Sequence, residues 1–473
     1  MTKKQKLKFL FYFLLSATSF PYLVLPQNAG IGIPIFIIIQ FAFLYFLVPK
    51  KKPLLTFVPI FIMSLNSFIS GNAIWRFPNF LVTILLYNVM MLWMVDELHI
   101  KDVSIKFINN ILSNIIAPFA HFGVPVKWAA ETNSAYTKTV KRVLLGILVS
   151  VPFLIILLIA LSSADQIFSH GVDHITRGFF NLIHFTTLFK VWFGIIAGLY
   201  LFGLVYALYQ PRADKPFKET ERKGDLIVLN ILFSSILVVY TIFIIIQFRY
   251  LFANASDLPY GLNYTHYARQ GFFELLFLSG LNTLLILATT WLTKTQTGKW
   301  AKLTKILCGY LCVITIMLLI SSFYRMWLYS SDDGLTRLRF LVFGFLIFEA
   351  IGLMFTFAYI ISPKFNIVAV YLIIGLTYYL LLNIVPMDAI IAKNQVDRYF
   401  NNGGSGIFYA MTLSTDAAPQ IARLLESDNA TIRSDAKNYF KYHINSNNSL
   451  VPRWQRWNLS VDRLYEYENV SLK

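Results

Sequence analysis

Apolar runs of about twenty residues recur along this sequence from one end to the other, each long enough to cross a hydrocarbon core of roughly 30 Å. They are expected at 7–25, 31–48, 54–70, 80–95, 143–161, 188–209, 226–247, 271–292, 306–323, 340–361 and 365–385. Within a bilayer no water is present to satisfy the backbone, so such runs fold as helices with all their hydrogen bonds internal. A β-barrel would instead alternate apolar and polar residues over segments of about ten. The fold class expected is therefore all-α: a polytopic transmembrane helical bundle of about eleven spans. Composition agrees, since 57% of residues are hydrophobic and 14% charged, against about 25% charged in soluble domains. The first run follows Lys3, Lys4 and Lys6 and has the look of a signal peptide. No small-x-small cleavage site follows cleanly and further spans come at once, so it reads as a retained first helix.

The net charge of +17 comes from 41 basic and 24 acidic residues. The basic residues sit in short loops between spans, which is the pattern of orientation in a membrane, and nucleic acid is not an expected partner. With the N-terminus inside, the loops around Lys51, Lys138, Lys215, Lys299 and Lys364 all fall on the cytoplasmic side, and the alternate loops hold no lysine. Eleven spans then put the C-terminus outside.

Four segments follow: a four-span segment at 1–95, a cytoplasmic linker at 96–142, a seven-span core at 143–386 and an extracytoplasmic helical tail at 387–473. In the linker, Ile108, Ile111, Leu112, Ile115 and Ile116 recur at helical spacing, with Lys106, Asn109, Asn110, Ser113 and Asn114 opposite. That pattern suits a helix in the membrane interface or one packed under the bundle. In the tail, Ser414-Thr415-Asp416 offers an N-cap to a helix carrying Ile421, Leu424 and Leu425. A second helix has Ile432, Ala436, Tyr439 and Phe440 on one face, and Trp454 and Trp457 suit seating the last part on the membrane surface or on the outer loops. A tail of about ninety residues is marginal alone and is expected to rest on the bundle.

Ionisable groups inside a bilayer are costly and point to function. Glu349, in the middle of the run at 340–361, suits a proton- or ion-coupling carboxylate, or a carboxyl hydrogen-bonded to a neighbouring helix through Asn282 or Asn383. Two polar stretches on the outer side, 249–274 and 324–339, carry Arg249, Arg269, Arg325, Arg337 and Arg339 and no lysine. Guanidinium forks hold carboxylate or phosphate. These arginines, with Glu274 and Glu349, are the candidate residues for binding an anionic group: a lipid phosphate, an envelope polymer or an acidic solute. Structural ion pairs with Asp257, Glu274, Asp332 and Asp333 fit the same pattern.

Other signals are thin. His170, Asp173 and His174 have a metal-compatible spacing but match no known zinc motif. Cys308 and Cys312, the two cysteines, lie inside an apolar run and read as small helix-facing or lipid-facing side chains. No nucleophile elbow, phosphate loop or zinc-protease motif occurs. Neither a cofactor nor a metal is expected, and no catalytic residue is assigned.

Several passages carry a family resemblance. They are Leu161 to Asp165, Tyr267 to Leu275, Tyr324-Arg325-Met326 and Gly334 to Arg339 in the membrane part. In the tail they are Asp388-Ala389 with Asn394 and Arg398, Leu413 to Ala417, and Trp457 to Ser460. In these the chain resembles the bacterial multi-span membrane family catalogued as domain of unknown function 4173, itself similar to 4153. The resemblance covers about residues 140–460; where an Asn-Pro is expected before Asp388, this chain has Pro386-Met387. It implies a multi-pass protein of the bacterial cytoplasmic membrane, and it brings no catalytic residue.

Three functions are compatible with these residues. A non-enzymatic protein would bind or transport an anionic solute or lipid headgroup. An envelope sensor or assembly partner would use its outer tail. An outer-face envelope enzyme would need a residue such as Asp165 or His174.

Overall fold

The structure is a computed structural model that describes residues 2–25, 30–47, 55–94, 105–129, 185–207, 224–251, 272–293, 297–404, 406–448 and 454–468, with short pieces between 146 and 161. Helices α1 (Lys3–Leu23), α2 (Gly32–Leu47), α3 (Phe57–Ile69) and α4 (Arg76–Met94) occupy the first four apolar runs. After α5 (Ile105–Ala120) and α6 (Val124–Ala129) come α7 (Phe185–Ala207), α8 (Leu226–Leu251), α9 (Phe272–Leu292), α10 (Lys299–Asp333), α11 (Arg337–Ile361) and α12 (Ile367–Ile384). No strand occurs among the described residues. Among the described residues, seven helices are long and apolar enough to cross a membrane: α4 with the turn before it, and α7 through α12. Helices α2 and α3 are apolar but shorter, and α1 carries four lysines in its first turns. The run expected at 143–161 lies almost wholly outside the described residues.

Two packed groups make up the bundle. In the first, Phe9, Tyr12, Phe41, Met63, Met90 and Phe202 join α1, α2, α3, α4 and α7 around one core. Close approach of α1 and α7 depends on a missing side chain: a Cβ on Gly194 would lie 2.3 Å from the Ala17 carbonyl oxygen, the small-residue contact typical of helices in lipid. In the second, Phe233, Leu275, Leu311, Leu318, Leu346 and Leu353 join α8 to α11. Cys308 and Cys312 are buried here, and the Cys312 thiol donates to the Leu353 carbonyl at 3.5 Å. Of the two readings of these cysteines, the helix-facing one describes them.

Helix α12 connects the two groups, packing on α11 and on α3. Its Asn383 is the anchor. Asn66 Nδ2 donates to the Asn383 carbonyl at 2.8 Å, Asn79 Nδ2 to Asn383 Oδ1 at 2.6 Å, and the Tyr379 hydroxyl to Asn79 Oδ1 at 2.6 Å. Buried amides with no water to turn to satisfy one another across helices.

The tail folds as a helical cap: α13 (Met387–Asn402), α14 (Ile407–Ala410), α15 (Ala418–Ala422), α16 (Ala430–Asn448) and α17 (Leu459–Tyr465). Ile391, Val396, Ile421, Leu424, Ile432 and Phe440 form its core, and Leu335, Phe340 and Leu341 from the bundle pack against it. The cap therefore shares its core with the start of α11. Asp416 does not serve the helix N-cap suggested by Ser414-Thr415-Asp416. The Ser414 side chain makes no cap hydrogen bond, and the Asp416 carboxylate turns to the bundle instead.

Helix α10 explains how cap and bundle meet. Its 35 residues give a length of about 52 Å, well beyond the roughly 30 Å hydrocarbon core. Lys305 and Arg325 are spaced by about 30 Å along it, so charged side chains bracket one membrane thickness. The turns from Arg325 to Asp333 project towards the cap. Helix α5 packs on α7 and α4, with Ile111 buried but Leu112 and Ile116 exposed. Asn114, expected on its polar face, is buried and donates to Asn88 Oδ1 at 3.1 Å.

Candidate functional site

The α10–α11 turn is built around Gly334. Its φ of +79° ends α10 and reverses the chain, and a Cβ there would lie 2.5 Å from the Gln395 side-chain amide. Only glycine suits both demands. The cap then closes over the turn. Leu335 N donates to Asn394 Oδ1 at 2.9 Å, and Gln395 Nε2 donates to the Leu335 carbonyl at 2.7 Å. Arg398 reaches back to the Ser331 and Asp332 carbonyls, satisfying oxygens that the end of α10 leaves open.

Within this clasp, Arg337 and Asp388 form a two-pronged ion pair. Arg337 Nε donates to Asp388 Oδ1 at 2.8 Å and Nη2 to Oδ2 at 2.6 Å. Ser414 N adds a third bond to Oδ2 at 3.1 Å. The Asp388 side chain is fully buried, that of Arg337 27% exposed. Burial by itself raises the Asp388 pKa; the bonds and charge of Arg337, with the Ser414 contacts, outweigh it and hold the carboxyl below its ordinary value. Arg339 is buried next to it. It donates to Asp333 Oδ2 at 3.0 Å and to the Gly334 carbonyl, and it stacks 3.7 Å over the Tyr329 ring.

Two more helix connections are tied to the cap. At the α3–α4 turn, the Ser70 hydroxyl and Gly71 N donate to the two oxygens of Asp416, the latter at 2.8 Å. Asn458 Nδ2 donates to the Ser67 and Ser70 carbonyls at 2.8 and 2.9 Å. Before α2, Gly30 N and Ile31 N donate to the Gln455 and Trp457 carbonyls at 2.9 and 3.0 Å.

Between these fastenings a cleft of about 720 Å³ remains open, with Asn72, Ile74 and Arg337 on the bundle side and Phe408, Ser414, Asp435, Asn438, Tyr442 and His443 among its cap residues. Asn72 is 4% exposed. Its Oδ1 accepts from Ile74 N at 3.0 Å, while its Nδ2 is buried with no hydrogen-bond partner. Asp388 engages Arg337 through Nε and Nη2, leaving Nη1 uncommitted. Asp435 supplies the opposite charge. Burial lowers the His443 pKa and so favours the neutral ring, partly offset by its bond with the Leu413 backbone. Ile74, Phe408 and Tyr442 present exposed apolar surface at the cleft.

A second polar cluster lies in the membrane part. Glu349, midway along α11 and 5% exposed, accepts from the Ser279 hydroxyl at 3.0 Å through Oε2. Its Oε1 has no hydrogen-bond partner. The neighbouring Thr283 hydroxyl donates to the Ser279 carbonyl at 3.0 Å. Asn282 and Asn383, the partners the sequence suggested, are engaged elsewhere: Asn282 with Tyr240 and Thr315, Asn383 with Asn66 and Asn79.

The candidate residues thus fall in different places. Arg337 and Arg339 meet at the clasp, Arg325 is buried on α10, and Glu349 lies in the bundle core. Glu274 is exposed in the first turn of α9. Arg269 and the Arg249 side chain lie outside the described residues, as do His170, Asp173 and His174. Asp388, Asp416, Asn72 and His443 were not read as site residues. Asp388 and Asp416 stood in passages of family resemblance, and of these passages 334–339, 388–398 and 413–417 converge on the clasp. Asn72 and His443 carry no signal in sequence, because their roles arise from the meeting of cap and bundle.

A family model described as "Domain of unknown function (DUF4153)" matches residues 57–424, from the start of α3 into the cap. It is the neighbour of the 4173 family that the sequence passages suggested, and the match supports 4153. The matched span includes Glu349 and the Arg337–Asp388 pair. No curated protein and no solved structure matches the chain.

Proposed function

The chain belongs to the family described as domain of unknown function DUF4153, and from that premise we propose that this membrane protein binds a lipid headgroup in the cleft between cap and bundle. The observation that carries the reading is the buried, unpartnered Asn72 Nδ2 in the cleft wall. An orphaned buried donor costs about 1–3 kcal/mol until it finds an acceptor, and a phosphate oxygen is one. Arg337 reinforces it with Nη1. Because Asp388 already neutralises Arg337 and Asp435 is also in the wall, a simple anion fits less well than a group carrying both a phosphate and a hydroxyl or ammonium donor. The apolar surface of Ile74 and Phe408 suits the chain-bearing end of the same molecule.

Lysine placement supports the orientation with cap outside and N-terminus inside. Lys3 to Lys8 open α1, Lys299 to Lys305 open α10 and Lys364 follows α11, all at the end away from the cap. Eleven spans in a bacterial cytoplasmic membrane complete that reading, with the run at 143–161 as the fifth.

The test is thermal unfolding of the purified protein with sn-glycero-3-phosphoethanolamine and, separately, inorganic phosphate. The headgroup is expected to stabilise the wild type more than phosphate does. Asn72→Asp keeps the side-chain oxygen that accepts from Ile74 N but replaces the Nδ2 donor by a charge of the same sign as phosphate, and it should weaken binding at least about 10-fold. Thr412 also lines the cleft and makes no clasp contact, so Thr412→Trp should block the cleft. Equal stabilisation of all three proteins would refute the site.

A second reading concerns transport. Glu349 has one unpartnered oxygen at mid-membrane, the feature expected of a carboxyl that exchanges an ion or proton as the ligand moves. In reconstituted vesicles, Glu349→Gln should abolish coupled movement of the headgroup while binding at the cleft persists. Unchanged movement rejects the coupling role.

A further inference from the structure

At the end of the bundle away from the cap, α10 and α11 part to leave a groove of about 380 Å³. Ile306, Val313, Phe357 and Ile360 line it, and Gly309 forms its floor. A Cβ on Gly309 would come within 3.8 Å of the Phe357 ring, so a larger side chain would occupy the groove. Lys302 and Lys305, one turn apart and both exposed, stand at its mouth. No acidic side chain is among its lining residues.

Position decides what can occupy it. Lys305 lies about 30 Å along α10 from Arg325, which places the lysine pair at the headgroup level of one leaflet and the apolar part beneath it. From Lys302 to Val313 the groove follows α10 for about 16 Å, along the direction of an acyl chain. Exposed Trp300, two residues before Lys302, suits the same interface. Lys299 and Lys364 add positive charge at this end.

We propose that this groove is a binding site for an anionic phospholipid, with the phosphate between Lys302 and Lys305 and one acyl chain against Gly309. The site is separate from the cap cleft and does not depend on it. Charge at the mouth selects the lipid, and the apolar groove holds it against exchange with the surrounding bilayer.

Native mass spectrometry of the full-length protein, after stepwise delipidation and addition of phosphatidylglycerol or phosphatidylcholine, tests this. The wild type is expected to retain phosphatidylglycerol preferentially. The Lys302→Gln/Lys305→Gln variant should lose about 30-fold of that affinity, from roughly fivefold per lysine near an anionic surface. Gly309→Leu should lose retention of both lipids with its unfolding temperature unchanged. Thr412→Trp, which blocks the cap cleft, should leave retention intact. Unaltered phosphatidylglycerol retention in the double lysine variant overturns the proposal. Displacement by glycerol 1-phosphate at equal concentration also overturns it, by assigning the lysines to a free phosphate. So does loss of the lipid in Thr412→Trp alone, which would move it to the cleft.

Discussion

Replacing Arg337 with methionine is the most informative single change at the clasp. Asp388 is fully buried and accepts two bonds from Arg337, at 2.8 and 2.6 Å, and one from Ser414 N at 3.1 Å. Methionine keeps much of the packing volume but strands a buried carboxylate with one donor. Removing one partner of a buried pair costs about 3–5 kcal/mol. Arg337 is 27% exposed, so water can partly replace it, and the lower end, about 3 kcal/mol, is expected. Asp388→Asn should cost less, about 1.5–3 kcal/mol, because the guanidinium left behind can hydrate. The double variant should cost less than the sum by about 2 kcal/mol, as coupled partners do. Native-state hydrogen exchange read on peptides from 387–426 measures these opening energies. The reasoning fails if Arg337→Met leaves cap exchange at the wild-type level, or if the two single changes add without coupling.

Other expectations follow from the same geometry. The depressed Asp388 pKa makes its contribution fully present above the unfolded value of about 3.9 and lost as pH falls through the still lower folded value. The opening free energy of the cap, corrected for the intrinsic pH dependence of amide exchange, should therefore be flat from pH 5 to 8 and fall below about pH 4, and Asp388→Asn should remove that acid dependence. Gly334→Ala meets both a positive φ and the Gln395 amide, so it should destabilise the clasp by about 2–4 kcal/mol in the same exchange measurement. Glu349→Gln keeps an acceptor for the Ser279 hydroxyl. Its thermal unfolding should stay within about 1 kcal/mol of wild type, whereas Glu349→Lys should prevent stable insertion.

The membrane helices were legible because lipid imposes one solution on a long apolar run, and helices occupy every expected run that the structure describes. The cap helix bearing Ile432, Ala436, Tyr439 and Phe440 was legible for the same periodic reason, and all four side chains are buried. What sequence did not give was partnership. Asp388 follows Arg337 by 51 residues, and Asp416 and Ser70 are separated by 346, distances over which no local pattern links one residue to another. Glu349 stood out as an ionisable group in an apolar run. Its partner Ser279 did not, because a serine in a membrane helix most often bonds its own backbone, as Ser279 also does with Leu276.

Site-specific labelling within the cleft tests the central claim most directly. Tyr442 lines the cleft, is 70% exposed and belongs to no clasp contact, while the two native cysteines are buried. Tyr442→Cys in intact expressing cells should react with a membrane-impermeant maleimide, and sn-glycero-3-phosphoethanolamine should slow that reaction saturably. Labelling only after the membrane is opened would contradict the orientation, and a rate indifferent to the headgroup would contradict the cleft as its binding site.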